Sequence, residues 1–122
     1  MKLIPIMRCR NMRRSLDFYT NVLDFVIKYP GSTADDDFVT ITNDQAEIEL
    51  SISDGTISTI LNIHVEDVDT LFEKYVSRGL DTSGKKTSPV HQGPLDQTWG
   101  MREFYVTDSD GHTLRFGRPI TS

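Results

Sequence analysis

The chain reads as the same unit twice over. Each half predicts a strand, a helix and then three more strands, at a period of roughly 55 to 65 residues. The closing hairpins overlay without a gap: Phe38 falls on Phe104, Asp44 on Asp110, Ile48 on Leu114, Glu49 on Arg115 and Leu50 on Phe116. The opening strands align Ile4 with Ile60 by their distance to the helix. Four strands and one helix cannot bury both faces of a sheet. Two such halves can curl their sheets together around a cleft. Two hairpins of a common kind would overlay as well, so the overlay alone leaves coincidence open. The expected fold is α+β, with tandem βαβββ modules at about 1–55 and 56–122 in one domain, as curled mixed sheets around a cleft.

Local patterning supplies the elements. A strand is predicted over 2–7, with Pro5 marking an edge or irregularity. Asn11 suits a helix cap, and Met12, Leu16, Tyr19, Val22 and Leu23 form one stripe over 12–23. A strand over 25–29 ends at Pro30-Gly31. Strands over 38–42 and 46–52 flank a tight turn, with Val39 and Ile41 alternating against Phe38, Thr40 and Thr42. Past Asp54 and Gly55 come a strand over 58–65 and a helix over 68–78, capped by Asp67. That helix turns Leu71, Phe72, Tyr75 and Val76 inward and stops at Gly79. A short strand over 80–82 leads into a long Gly- and Pro-containing segment over 83–100. A hairpin of 102–107 and 112–116 closes the chain around Asp108-Ser109-Asp110-Gly111.

Composition limits the partners. The 122 residues carry thirteen Lys and Arg against eighteen Asp and Glu, a formal charge of -5. That balance disfavours nucleic acid and anionic membranes and mildly favours cationic ligands. No apolar run is long enough to span a bilayer, and the N-terminal one is too short for a signal peptide. Cys9 is the only cysteine, which excludes an internal disulfide and a multi-cysteine metal centre. A cytoplasmic protein is the simple reading.

The chemistry-bearing residues are few. The histidines His64, His91 and His112 are far apart in sequence, and each reads as structural or superficial, His112 as solvent-facing. Glu49 and Arg115 hold equivalent strand positions, and a cation beside Arg115 would be repelled. Arg8 and Arg10 flank Cys9, but no histidine is near it to activate a thiolate. The rings say more. Trp99, the only tryptophan, lies in the long segment; Tyr29 ends a strand and Phe38 begins one. Such rings can line a cleft mouth and stack on a flat ligand. Asp35, Asp36 and Asp37 beside Phe38 could draw a cationic group, or simply form a solvated loop.

These features together resemble the vicinal oxygen chelate superfamily of glyoxalases, extradiol dioxygenases and bleomycin-resistance proteins. The resemblance spans nearly the whole chain. It rests on Arg14-Ser15-Leu16-Asp17-Phe18-Tyr19, Leu23-Asp24-Phe25, Val65-Glu66-Asp67-Val68-Asp69 and Asp108-Ser109-Asp110-Gly111-His112. The run Trp99-Gly100-Met101-Arg102-Glu103-Phe104 is similar to a segment of bleomycin-resistance proteins. The resemblance implies a homodimer with clefts between subunits. It also implies that the metal-ligand positions of the family's enzymes fall on Ile4, Glu49, Ile60 and Arg115, of which only Glu49 could ligate. No metal or other cofactor is therefore expected. The implied function is sequestration of an aromatic, cationic small molecule such as a bleomycin-type drug. The resemblance places Tyr29 and Trp99 at stacking positions and Phe38 at another cleft position; the expected ligand-binding residues are these with Asp36, Glu49, Ile60, Arg102 and Arg115, and none is catalytic. The alternatives are a metal-dependent lyase or dioxygenase with an atypical set (Glu49 with His64, His91 or Glu103) and a structural dimer with a vestigial cleft.

Overall fold

The computed structural model describes residues 1–53, 58–82 and 93–120, so Asp54, Gly55 and His91 lie outside the described residues. Two compact units emerge. The first is Met1–Thr59 together with Asp108–His112, and the second is Ile60–Thr107 with Thr113–Ser122.

In the first unit, β1 (Ile6–Cys9), β2 (Val26–Ile27), β3 (Phe38–Asn43) and β4 (Ala46–Ile52) form a sheet in the order β1-β4-β3-β2. The β1–β4 pair is parallel and the others antiparallel, so the sheet is mixed. Helix α1 (Met12–Asn21) starts where Asn11 accepts the Arg14 amide at 3.0 Å, a cap worth about 1 kcal/mol. Its buried residues Met12, Leu16 and Tyr19 share a core with Met7, Val39, Ile41, Ile48 and Leu50. The alternation expected of β3 holds, with Val39 and Ile41 buried and Phe38 exposed. The turn Asp108–His112 completes this unit. The Tyr19 hydroxyl donates to Asp108 at 2.9 Å, and Asp110 accepts from the Ser15 hydroxyl and the Arg10 amide. Burial, then the Asp108 carboxylate, pushes the Tyr19 hydroxyl pKa far up and keeps it a donor.

In the second unit, β5 (Ile60–His64), β6 (Leu95–Asp96), β7 (Met101–Thr107) and β8 (Thr113–Pro119) repeat the plan as β5-β8-β7-β6, with β5–β8 parallel. Helix α2 (Val68–Ser77) is capped by Asp67, which accepts from the Thr70 amide and hydroxyl and has its pKa lowered by those bonds. The core here is aromatic. Phe72 and Tyr75 of α2 meet Phe104 edge-on, Tyr75 also meets Phe116, and Phe104 stacks on Phe116. The architecture is thus two βαβββ modules with mixed sheets.

Several boundaries depart from the sequence reading. The first strand lies at Ile6–Cys9 and not at 2–7, because Pro5 stands outside the ladder and contributes only its carbonyl, to the Glu49 amide. Cys9 is therefore within that strand. The predicted strand at 80–82 is absent: the Leu80 amide turns back to the Tyr75 carbonyl and closes α2, with Gly79 at φ +97°. The short strand of this module comes from Leu95–Asp96 instead. Val76 faces outward, 41% exposed. His112 is buried and not solvent-facing: its Nδ1 accepts the Thr59 amide at 3.0 Å, so Nε2 carries the proton directed at the Arg8 carbonyl 2.6 Å away.

The hairpin overlay also slips by one residue. Val39 faces Leu50 and Phe104 faces Phe116, so Phe104 is the counterpart of Val39, and Glu103 that of Phe38. The cause is turn length. Asn43 pairs with Ala46 across a two-residue turn with Asp44 at φ +53°, whereas three residues between Asp108 and His112 end on Gly111 at φ +89°.

Candidate functional site

Each sheet has one face on its helix and one face turned away, and the away-facing surfaces carry the candidate residues. On the first sheet, neighbouring strands align Ile6, Glu49 and Thr40 in one row and Arg8, Ser51 and Phe38 in the next. Glu49 is half-buried and Phe38 is 64% exposed. Tyr29, 53% exposed, follows β2 at the head of a turn in which the Ser32 amide returns to the Tyr29 carbonyl. Pro30 and Gly31, the latter at φ +93°, are the residues such a turn requires. Asp36 closes the next turn by accepting the Thr33 amide at 2.8 Å. At the start of β4, Glu47 accepts from Lys2 at 2.7 Å and from Lys28 at 2.8 Å on one oxygen. These bonds hold the Glu47 pKa below its ordinary value, and the Glu47 bond raises that of Lys28. The Lys28 ammonium lies 5.3 Å from the centre of the Tyr29 ring.

The second sheet is organised around a carboxylate. Glu103 is 3% exposed on the face away from α2. Both its oxygens accept from Arg115 Nη2, at 3.2 and 3.1 Å. Oε1 also accepts the Trp99 indole N–H at 3.2 Å and the Tyr105 hydroxyl at 3.5 Å. The Arg115 guanidinium lies 5.2 Å from the Tyr105 ring centre and 5.8 Å from that of Trp99. Burial, then the Glu103 charge, pushes the Tyr105 hydroxyl pKa up. Trp99 remains 54% exposed. Gly117 faces Glu103 across the strands, and a Cβ there would stand 3.0 Å from Glu103 Cγ. A side chain at 117 would therefore press on Glu103, which would have to give by a few tenths of an ångström.

The structure groups the predicted residues unequally. Tyr29, Phe38, Asp36 and Glu49 belong to the first unit, with Phe38 and Glu49 on one sheet face. Trp99 and Arg115 join through Glu103 in the second unit. Ile60, 65% exposed, lies on the neighbouring strand opposite Thr113, on the same face as Arg115. Arg102 points the other way: it grips Asp69 of α2 at 2.7 and 2.9 Å and Asp96 of β6 at 2.9 Å, which lowers the Asp69 pKa. Tyr105 and the central role of Glu103 escaped the sequence reading. Gly117, a glycine inside a strand just past Arg115, was the available signal. Cys9 is buried, which pushes its thiol pKa up, while Arg8 and Arg10 are exposed.

Two βαβββ modules, each with an apolar sheet face under its helix and a ring-bearing face turned away from it, define a recognisable class. The chain belongs to the Glyoxalase/Bleomycin resistance protein/Dioxygenase superfamily, whose sequence model matches residues 4–116. Its fold is similar to that of a bleomycin-binding protein complexed with bleomycin, at 18% identity and a TM-score of 0.79, covering 97% of this chain and 98% of that one. TioX from Micromonospora sp. ML1 is similar at 18% identity and a TM-score of 0.78, over 98% and 99% of the two chains. A bleomycin resistance determinant encoded on the transposon Tn5 matches at 18% and 0.78, over 98% of both chains. No curated protein matches the chain.

The superfamily also contains enzymes, so the metal positions need a test against the residues present. Ile6 stands opposite Glu49, and Asn62 stands opposite Arg115. The positions indicated by the resemblance (Ile4, Glu49, Ile60 and Arg115) supply one carboxylate, two alkyl chains and a guanidinium. That set does not fit a divalent cation. Among the described residues no group of three or more His, Cys, Asp and Glu could hold a metal ion. Nor, among them, is any helix long and apolar enough to cross a membrane.

Proposed function

We propose that this protein captures an aromatic, cationic small molecule of the bleomycin type and shields it without making or breaking a bond. The reading treats 1–55 and 56–122 as modules of one cytoplasmic domain that works as a homodimer, with the ligand held in clefts between subunits. The observation that carries it is the exposure of three large rings. Tyr29 and Phe38 of the first unit are 53% and 64% exposed, in a unit that also carries Glu49 and an exposed Asp36, and Trp99 of the second unit is 54% exposed. Large rings left open suit the flat apolar part of a ligand, and the first unit's carboxylates suit its positive end. The similarity to a bleomycin-binding protein agrees with this choice of ligand. In this reading Ile60 and Arg115 contribute to the wall, and Arg102 acts from behind by anchoring β6 next to the Trp99 turn.

Calorimetric titration with copper-free and metal-loaded bleomycin tests the proposal, with sedimentation equilibrium reporting the oligomeric state. Saturable binding by a dimer is expected. Absence of saturation at high micromolar drug removes the assignment.

A further inference from the structure

We infer that Glu103 is a positioning residue that sets the Trp99 ring in place before any ligand arrives, with Arg115 and Gly117 as its supports. This rests on the reading that Trp99 is a stacking surface, but the device itself belongs to the free protein.

Four observations carry it. Trp99 sits in a turn, where a large exposed ring would ordinarily explore several rotamers. Its indole N–H is instead directed at Glu103 Oε1, 3.2 Å away. Glu103 is itself fixed, because it is nearly buried and both its oxygens accept from Arg115. The turn is tied as well: the Gln97 amide donates to the Met101 carbonyl at 2.7 Å, and the Ile120 amide donates to the Gly100 carbonyl at 2.8 Å.

The arrangement has a chemical consequence. A nearly buried carboxylate on a binding face would invite a cation, yet Arg115 already occupies it and lies near both the Trp99 and Tyr105 rings. The pair is neutral overall, so the platform offers a planar partner the open side of Trp99 and no free counter-charge. The cationic part of a ligand must find its counter-charge elsewhere. Gly117 completes the device, since a Cβ there would meet Glu103 Cγ at 3.0 Å and the Arg102 carbonyl at 3.3 Å.

Trp99 is the only tryptophan, so its fluorescence reports this site alone. The test compares wild type, Glu103→Leu, Gly117→Ala and Arg115→Lys without ligand, each checked for fold by circular dichroism. Glu103→Leu removes the acceptor of the indole N–H. Arg115→Lys keeps the charge but not the planar guanidinium near the two rings, and serves if Glu103→Leu does not fold. The expected result is faster Trp99 anisotropy decay and stronger acrylamide quenching in the folded variants, largest in Glu103→Leu. Where bleomycin binds wild type, Glu103→Leu should weaken it by about three- to tenfold, the cost of ordering a side chain no longer preset. Loosened Trp99 with no bleomycin binding by wild type supports the positioning role and overturns only the drug assignment. Unchanged anisotropy and quenching in the folded variants overturns the positioning role, whatever the drug does.

Discussion

Glu49 and Arg115 occupy the same place in the two modules, each in the strand that runs parallel to the module's first. Their surroundings differ completely. Across from Glu49 stands Thr40, with exposed Phe38 two residues before it in the same strand. Across from Arg115 stands Tyr105, and the counterpart of Phe38 is the nearly buried Glu103. One sheet face is thus an open surface with an exposed ring, and the other a bonded network that holds its ring. The fold tolerates both because its stability comes from the opposite, helix-covered faces, where Leu50 and Phe116 are equally buried. Away-facing positions are free to diverge, as Glu49 and Arg115 do.

The sharpest way to break this comparison is to remove each strand residue in turn. Arg115→Ala leaves Glu103 with a charge and no cation in a nearly dry site, and should lower stability by about 3 kcal/mol in urea denaturation. Glu49→Ala should stay within about 0.5 kcal/mol. Equal losses would mean that the network does not hold the second face together. The rings give the next largest effect, this time on binding. Trp99→Ala should weaken bleomycin binding by about 2 kcal/mol, and Phe38→Ala by about 1 kcal/mol with stability unchanged, both read by calorimetry. A drug affinity insensitive to Trp99 would leave the second face without a ligand role.

How legible was this from residues alone? The repeat was, because its carriers are local: a cap before each helix, Val39 and Ile41 alternating with Thr40 and Thr42 in β3, and turn residues at Pro30-Gly31 and Gly111. The one-residue slip between hairpins was hidden, because Phe38 and Phe104 look alike in sequence while their turns differ in length by a residue. Leu95–Asp96 carries no periodicity of its own, being two residues long; its strand character comes from pairing with Arg102 and Glu103. The candidate site was half legible. Trp99 and Arg115 stand out in the sequence, but the carboxylate between them reads only as a possible ligand, since hydrogen-bond sharing depends on register and leaves no pattern in spacing. His112 was misplaced for the same reason: its partners are Thr59 and Arg8, far off in the chain.

The smallest difference between the modules should appear in acid. Glu47 in the first unit and Asp69 in the second both have lowered pKa values, from lysine and arginine hydrogen bonds respectively. A carboxylate lowered in the folded state binds its proton less readily there than in the unfolded chain. Its contribution is therefore complete above about pH 4, the ordinary carboxylate range, and disappears as pH falls through the folded value. The two sites differ in cover: the Glu47 side chain is 5% exposed and that of Asp69 is 50%. Water and salt screen Asp69 more, so its share is the lesser. Melting temperatures between pH 7 and pH 3 should fall less steeply in Glu47→Gln than in wild type, with Asp69→Asn close to wild type and closer still at high salt. The reverse order would show that the exposed clamp on α2, and not the twin-lysine carboxylate, sets the acid limit of the fold.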